Sequence, residues 1–108
     1  KNAVEILGAV RSSQRFIITP GMVELGDIEA EENHKLGTHI AAAKLDFAFI
    51  VGLERGKVIE QGYLEAGGDP ERLERVESLF EANDRLKQRI KPGDVVLYEN
   101  DLPDIYNE

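Results

Sequence analysis

Two short segments of the sequence combine residue types that could bind and orient a small molecule. Residues 19–26 hold a hydroxyl, a proline–glycine turn and one carboxylate between two glycines, and they read TPGMVELG. A turn that served structure alone would need only the proline and the glycine. Residues 99–104 hold three acids and one amide, and they read ENDLPD. Such a group would attract a metal cation or an ammonium group, and the alternative is a solvated tail.

Three other chemistries find no support in residue types or spacing. The chain has no cysteine, which excludes disulfides, thiolate metal sites and thiolate nucleophiles. His34 and His39 lie five residues apart, so on a helix they face different sides, whereas a zinc pair on one helix face needs a spacing of four. Residues 52–57 read GLERGK, one residue short of a phosphate-binding loop, and valine stands where the loop needs a hydroxyl. We therefore expect an ordinary turn there.

Continuous apolar runs predict the strands that must position these segments. The runs are residues 15–19, 46–51 and 95–98. Because they do not alternate with polar residues, they indicate strands buried on both faces, as in a parallel sheet covered by helices. The spacing of apolar residues predicts helices over 2–10, from a cap at Asp27 to about Lys44, and around 58–64, where Gly67 and Gly68 end the pattern.

Residues 69–90 fit two interpretations. A single helix could run to Ile90, or a short strand over 73–76 could precede a helix that Ser78 caps and that covers 79–90. The alternation of strands and helices elsewhere favours the strand and the shorter helix. The predicted fold class is then α/β, a three-layer Rossmann-like sandwich with a mostly parallel sheet. In such sheets ligands bind at the carboxyl ends of the strands, where residues 19–26, 52–56 and 99–106 would lie.

Length and charge limit the classes of function. The 108 residues suit one domain, and a net charge of −8 argues against a nucleic-acid groove or an anionic membrane surface as partner. No apolar run reaches the roughly 20 residues that span a bilayer, and no signal peptide is visible. We expect a cytoplasmic domain, and the first residue, Lys1, suggests a piece of a longer protein.

Residues 16–44 resemble the C-terminal domain of the Mur ligases, most of all the branch that adds D-alanyl-D-alanine to the UDP-muramoyl tripeptide. That family carries a motif close to LGDMLELG, followed by an acidic helix with a histidine. The positions that match are Met22, Glu24, Leu25, Gly26 and His34. Residues 91–97, KPGDVVL, resemble the family's last strand entry, so the resemblance covers nearly the whole chain.

Two departures from the family pattern suggest a divergent subgroup. The family aspartate after the first strand is Pro20 or Gly21 here, and the basic KGSR-like segment after the last strand is replaced by the acidic residues 99–104. An acidic segment cannot hold a carboxylate or phosphate as the basic one would, so the acceptor itself is left open.

The resemblance implies a single domain over residues 1–108 that belongs to an ATP-dependent amide ligase of peptidoglycan precursor synthesis. ATP and Mg²⁺ would be bound mainly by a central domain outside these residues, so this chain alone would carry no catalytic residue, no metal ligand and no activity. Its partners would be an amine acceptor, which is an amino acid or dipeptide, and a UDP-linked precursor held by the other domains. The alternative is a stand-alone acidic α/β module that binds a ligand or a protein. The candidate substrate-binding residues are Thr19, Gly21, Glu24, His34, Asn100 and Asp101.

Overall fold

The computed structural model describes Val4, residues 14–22 and residues 26–99, and within them a four-stranded sheet forms the centre of the fold. The strands are β1 (Arg15–Thr19), β2 (Phe47–Val51), β3 (Leu73–Val76) and β4 (Val95–Tyr98). All three strand pairings are parallel, and the order across the sheet is β3-β2-β1-β4. The α/β class with a parallel sheet, predicted from the continuous apolar runs, is confirmed.

Helices cover both faces of the sheet and give it three layers. They are α1 (Glu29–Ala43), α2 (Arg55–Glu65) and α3 (Leu79–Lys87). Side chains of α1 and α2 form one core with inward-facing residues of the sheet, and α3 forms a second core on the opposite face. Every residue of β2 is buried, as a central strand between two helical layers requires. Of the helix predicted over residues 2–10, only Val4 lies among the described residues, where it is helical and buried.

The predicted cap at Asp27 is wrong. A 3₁₀ turn, Gly26–Ile28, contains Asp27 and runs directly into α1, so that Ile28 occupies the cap position without a side-chain hydrogen bond. A capping side chain reaches back from an extended residue, and the backbone of Ile28, with φ −96° and ψ 3°, is not extended. The acids Glu29, Glu31 and Glu32 still lie in the first turn of α1, where their negative charges interact favourably with the positive end of the helix dipole.

The strand and shorter helix predicted for residues 69–90 are confirmed. Leu73 and Val76 are buried in β3, and the Ser78 hydroxyl accepts a hydrogen bond from the Glu81 N–H (3.1 Å) at the start of α3. The helix ends at Lys87, three residues before its predicted end at Ile90, and residues 88–89 form a turn.

Two glycines allow α1 and α2 to pack with their backbones in contact. A Cβ on Gly37 of α1 would overlap the Ile59 carbonyl oxygen, and a Cβ on Gly62 of α2 would overlap the His34 carbonyl oxygen. The contact is reciprocal, so neither helix can accept a side chain here without moving away from the other. Gly37 and Gly62 are therefore the close-packing positions of this helix pair.

We predict that Gly62→Ala lowers the free energy of unfolding by about 3 kcal/mol, the upper end of what overpacking typically costs. The sign of this change distinguishes close packing from an open position, because glycine to alanine at an open helix position stabilises a protein by roughly 0.5–1 kcal/mol. Urea unfolding of the chain measures the effect. Gln61→Ala, at the neighbouring exposed position, is the control and should change stability by less than about 0.5 kcal/mol. A stabilised Gly62→Ala variant would contradict the packing described here.

Candidate functional site

The candidate site lies where the chain reverses its direction across the sheet. From β1 the chain moves through α1 to β2 and β3, and it returns through α3 to β4 on the other side of β1. The connection that follows β1 therefore leads away from β4, and we call the space at the carboxyl ends of these two neighbouring strands the crevice. In open parallel sheets, ligands bind in this crevice, at the carboxyl ends of the two strands.

The turn that follows β1 is built from backbone groups with fixed partners. The Thr19 hydroxyl accepts a hydrogen bond from the Gly21 N–H (3.0 Å), and Thr19, Pro20 and Gly21 are all buried. Gly21 has φ +80°, a conformation that side chains rarely adopt. A Cβ on Gly21 would also lie 2.7 Å from Asn33 Oδ1 and 2.7 Å from Ile59 Cδ1. Glycine is therefore required here on two grounds.

Side chains from both neighbouring helices hold this turn. Asn33 of α1 binds the Met22 peptide on both sides: the Met22 N–H donates to Asn33 Oδ1 (2.7 Å), and Asn33 Nδ2 donates to the Met22 carbonyl oxygen (3.1 Å). Arg55, the first residue of α2, donates to the Pro20 carbonyl oxygen (3.3 Å) and lies 3.9 Å from the Glu29 carboxylate. The turn is thus tied to two helices that are themselves packed closely together.

Glu99 brings a carboxylate to the same crevice. Its N–H donates to the Ile18 carbonyl oxygen (3.0 Å), which continues the β1–β4 pairing beyond the strand. Ile17 pairs with Leu97, so the register carried two residues further places Glu99 beside Thr19, on the same face of the sheet. Burial raises the pKa of the Glu99 carboxyl, and no hydrogen bond or ion pair of that carboxylate is found within the described part of the chain.

The structure brings together some of the predicted site residues and places another elsewhere. Thr19 and Gly21 form the turn at the crevice. The His34 ring lies 2.9 Å from Glu65 Oε1, at the end of α2 opposite to Arg55, and this contact lowers the pKa of Glu65. The predicted residues outside the described ranges are Glu24, Asn100 and Asp101.

The GLERGK segment is an ordinary turn, as its spacing predicts. The Gly52 N–H donates to the Val76 carbonyl oxygen (2.7 Å), the Gly56 N–H to Gly52 (3.0 Å) and the Lys57 N–H to Glu54 (3.1 Å). These amides are therefore occupied and are not arranged to cradle a phosphate. Among the described residues, no group of three or more acids and histidines is placed to hold a metal ion, and no helix is long and apolar enough to cross a membrane.

A cleft of about 420 Å³ lies at the opposite, amino-terminal edge of the sheet, between the ends of α1 and α2. Its polar groups are largely paired within the domain. The Tyr63 hydroxyl donates to the Asp69 carbonyl oxygen (2.7 Å), and Arg72 lies 3.5 Å from the Asp69 carboxylate and 3.8 Å from that of Asp46. We therefore place the candidate site at the carboxyl edge, where Glu99 has no such partner in residues 14–22 or 26–99.

Sequence reasoning missed Asn33 and Arg55, the two side chains that hold the turn. A signal for Asn33 was available, because it lies three residues before Leu36 and seven before Ile40, on the stripe of α1 that the structure buries. A polar residue on a buried stripe needs a hydrogen-bond partner. No comparable signal existed for Arg55, whose partner is 35 residues away in the sequence.

The described residues form a parallel α/β fold, and the same fold occurs in MurF ligases. The crystal structure of MurF ligase from Thermotoga maritima in complex with ADP matches with a TM-score of 0.67 at 21% identity over 89% of this chain. A MurF structure from Acinetobacter baumannii gives a TM-score of 0.65 at 23% identity, also over 89%. No protein-family model and no curated protein matches the sequence. The chain therefore has a Mur-ligase-like fold.

The likeness covers only part of the MurF proteins. This chain corresponds to 20% of the Thermotoga chain and 21% of the Acinetobacter chain. The described structure is thus comparable to about a fifth of a MurF ligase.

We predict that the Glu99 carboxyl titrates above its ordinary pKa of 4.5, because burial disfavours its charged form. Its protonated form is favoured by folding, so this contribution to stability is complete below the unfolded pKa and is lost as pH rises through the folded pKa. The Glu99→Gln variant cannot titrate at this position. Its free energy of unfolding, relative to that of the unsubstituted chain, should therefore increase from acid to neutral pH. Carboxyl NMR titration and urea unfolding at several pH values measure both effects. A midpoint at or below 4.5 would contradict the burial of Glu99.

Proposed function

We propose that this chain is the acceptor-binding and closing domain of an ATP-dependent amide ligase of the Mur type, acting in peptidoglycan precursor synthesis. Two findings support the proposal: a fold shared with MurF ligases, and a sequence motif that resembles theirs. The observation that carries it is where the motif lies. The described part of the TPGMVELG segment forms a rigid turn at the crevice in which parallel α/β sheets bind their ligands.

In the proposed reaction ATP and a nucleotide-linked carboxylate would give an acyl phosphate and ADP. An amine then attacks the acyl carbon: the C–N bond of the amide forms, the C–O bond to phosphate breaks, inorganic phosphate leaves and the nitrogen loses a proton. This domain would bind the amine-bearing acceptor, and its closure over the reaction centre would exclude water from the acyl phosphate. The acceptor arrives largely as an ammonium ion, and the half-buried Glu99 carboxylate at the crevice is a suitable partner for it. Glu24, Asn100 and Asp101 are proposed to complete the acceptor site.

Two observations on the described residues support placing ATP and Mg²⁺ on another domain. The amides of Gly52, Gly56 and Lys57 are bonded to carbonyl oxygens, and within the described ranges no three acids or histidines are grouped as metal ligands. We therefore propose that both bind to a different domain of a longer protein, and that no chemical step of the ligation is carried out by the residues described.

The proposal is tested by comparing the full-length gene product with the isolated chain. We expect the full-length protein to form ADP and phosphate only when ATP, a UDP-muramoyl tripeptide and an amine acceptor are all present. The isolated chain should neither hydrolyse ATP nor ligate, because it lacks a phosphate loop.

Two results would contradict this expectation. Turnover by the isolated chain would refute the assignment of ATP to another domain. A gene that encodes no GKT-type phosphate loop before Lys1, and whose product does not ligate, would favour the alternative of a stand-alone α/β interaction module.

A second test concerns Glu99. In the full-length protein, Glu99→Gln should raise the KM for the amine acceptor about tenfold or more, the factor that corresponds to about 1.4 kcal/mol of lost binding, while the KM for ATP changes little. Glu77→Gln is the matched control, because Glu77 is an exposed glutamate at the same edge of the sheet, after β3 at the far side. Equal effects of the two substitutions would indicate general charge loss rather than a contact with the acceptor.

A further inference from the structure

The described residues bury two polar side chains almost completely, and both serve the same turn. Thr19 and Asn33 are each 0% exposed. The hydroxyl of Thr19 binds the Gly21 N–H, and the amide of Asn33 binds both sides of the Met22 peptide. A buried polar group destabilises a protein unless it is hydrogen-bonded, so the fold places its two such side chains where they fix backbone geometry after β1.

An amide at position 33 is not what packing alone would favour. Asn33 belongs to the buried stripe of α1 together with Leu36 and Ile40, whose neighbours are apolar. A leucine there would continue the stripe and would avoid burying a polar group. Residues that break a local rule in this way are expected at functional sites, where the geometry that they impose has a use.

Asn33 fixes the backbone of the turn that forms one side of the crevice. The two hydrogen bonds resemble those of a strand partner, and they hold Met22, the last described residue before the segment that contains Glu24. A Cβ on Gly21 would meet the same Asn33 oxygen, so turn and amide fit each other without spare room. The Pro20–Met22 peptides are thereby fixed to α1 next to Thr19, the neighbour of Glu99 in the sheet register.

We infer that Asn33 is a positioning residue of the acceptor site: it acts through the Met22 backbone and holds the turn after β1 in the geometry that receives the acceptor. This inference rests on the proposed function for its ligand. It does not require Asn33 to touch the acceptor, since the side chain is fully buried.

The test separates positioning from stability by means of Asn33→Leu. This variant restores the apolar stripe but leaves both Met22 groups without their partner. We expect hydrogen exchange of the Met22 amide to become about tenfold faster or more, while amides of β2 keep their protection. In the full-length protein, the KM for the amine acceptor should rise about tenfold with an unchanged KM for ATP. Thr38→Val is the control on the same helix, because it removes a hydroxyl that donates only to the His34 carbonyl oxygen, and it should change neither quantity.

A second variant covers the case in which Asn33→Leu does not fold. Asn33→Asp keeps an oxygen for the Met22 N–H, and at a pH where its carboxyl is ionised it cannot donate to the Met22 carbonyl oxygen, so it should raise the acceptor KM in the same direction. The inference is overturned if Asn33→Leu or Asn33→Asp folds and has the same KM for the amine acceptor as the unsubstituted protein. It is also overturned if the folded variant leaves hydrogen exchange of the Met22 amide unchanged. A full-length protein that does not ligate before any substitution would instead refute the proposed function, and the exchange measurement would still report whether Asn33 holds the turn.

Discussion

The pair of hydrogen bonds between Asn33 and the Met22 peptide fixes the one segment on which the candidate site depends. Both peptide groups of Met22 would otherwise need water or another partner at a partly buried position. The Asn33 side chain reaches both Met22 groups from the buried face of α1, so it ties the turn after β1 to that helix. Arg55 adds a bond from the start of α2, and Gly37 and Gly62 join the two helices into one unit. The turn is thus held by side chains of both helices.

This arrangement explains how a small, strongly acidic domain presents a defined crevice. Rigid elements position ligand-binding groups more accurately than loops do. Here the sheet register sets Glu99 beside Thr19, and the helices set Met22 relative to both. In the proposed ligase, such a preformed acceptor surface would need only to be brought over the acyl phosphate by domain closure. In that proposal, the acidic residues 99–104, which stand where the Mur ligases that the sequence resembles carry a basic segment, would receive the ammonium end of the acceptor.

Much of the fold could be predicted from the sequence because it follows from local patterns. Runs such as 47–51 are apolar on both faces, so they indicated a covered parallel sheet, and Ser78 marked the start of α3 correctly. The error at Asp27 arose because a 3₁₀ turn can replace a capped helix start, and composition does not distinguish the two. The site was harder to predict. Its motif residues Thr19 and Gly21 were visible, whereas Asn33 and Arg55 act on the turn across 11 and 35 residues of sequence, and only tertiary packing decides such contacts.

The central claim is that the acceptor binds at the crevice between the turn after β1 and the end of β4. The most direct test is amide hydrogen exchange of the full-length protein with and without D-alanyl-D-alanine, the acceptor of the ligase branch that residues 16–44 resemble. The claim predicts that the dipeptide slows exchange at Met22 and Glu99, while the amides around Gly67 and Gly68, at the cleft on the opposite edge of the sheet, exchange as before. Protection at Gly67 and Gly68 with no change at Met22 and Glu99 would place the acceptor at the other edge and contradict the claim.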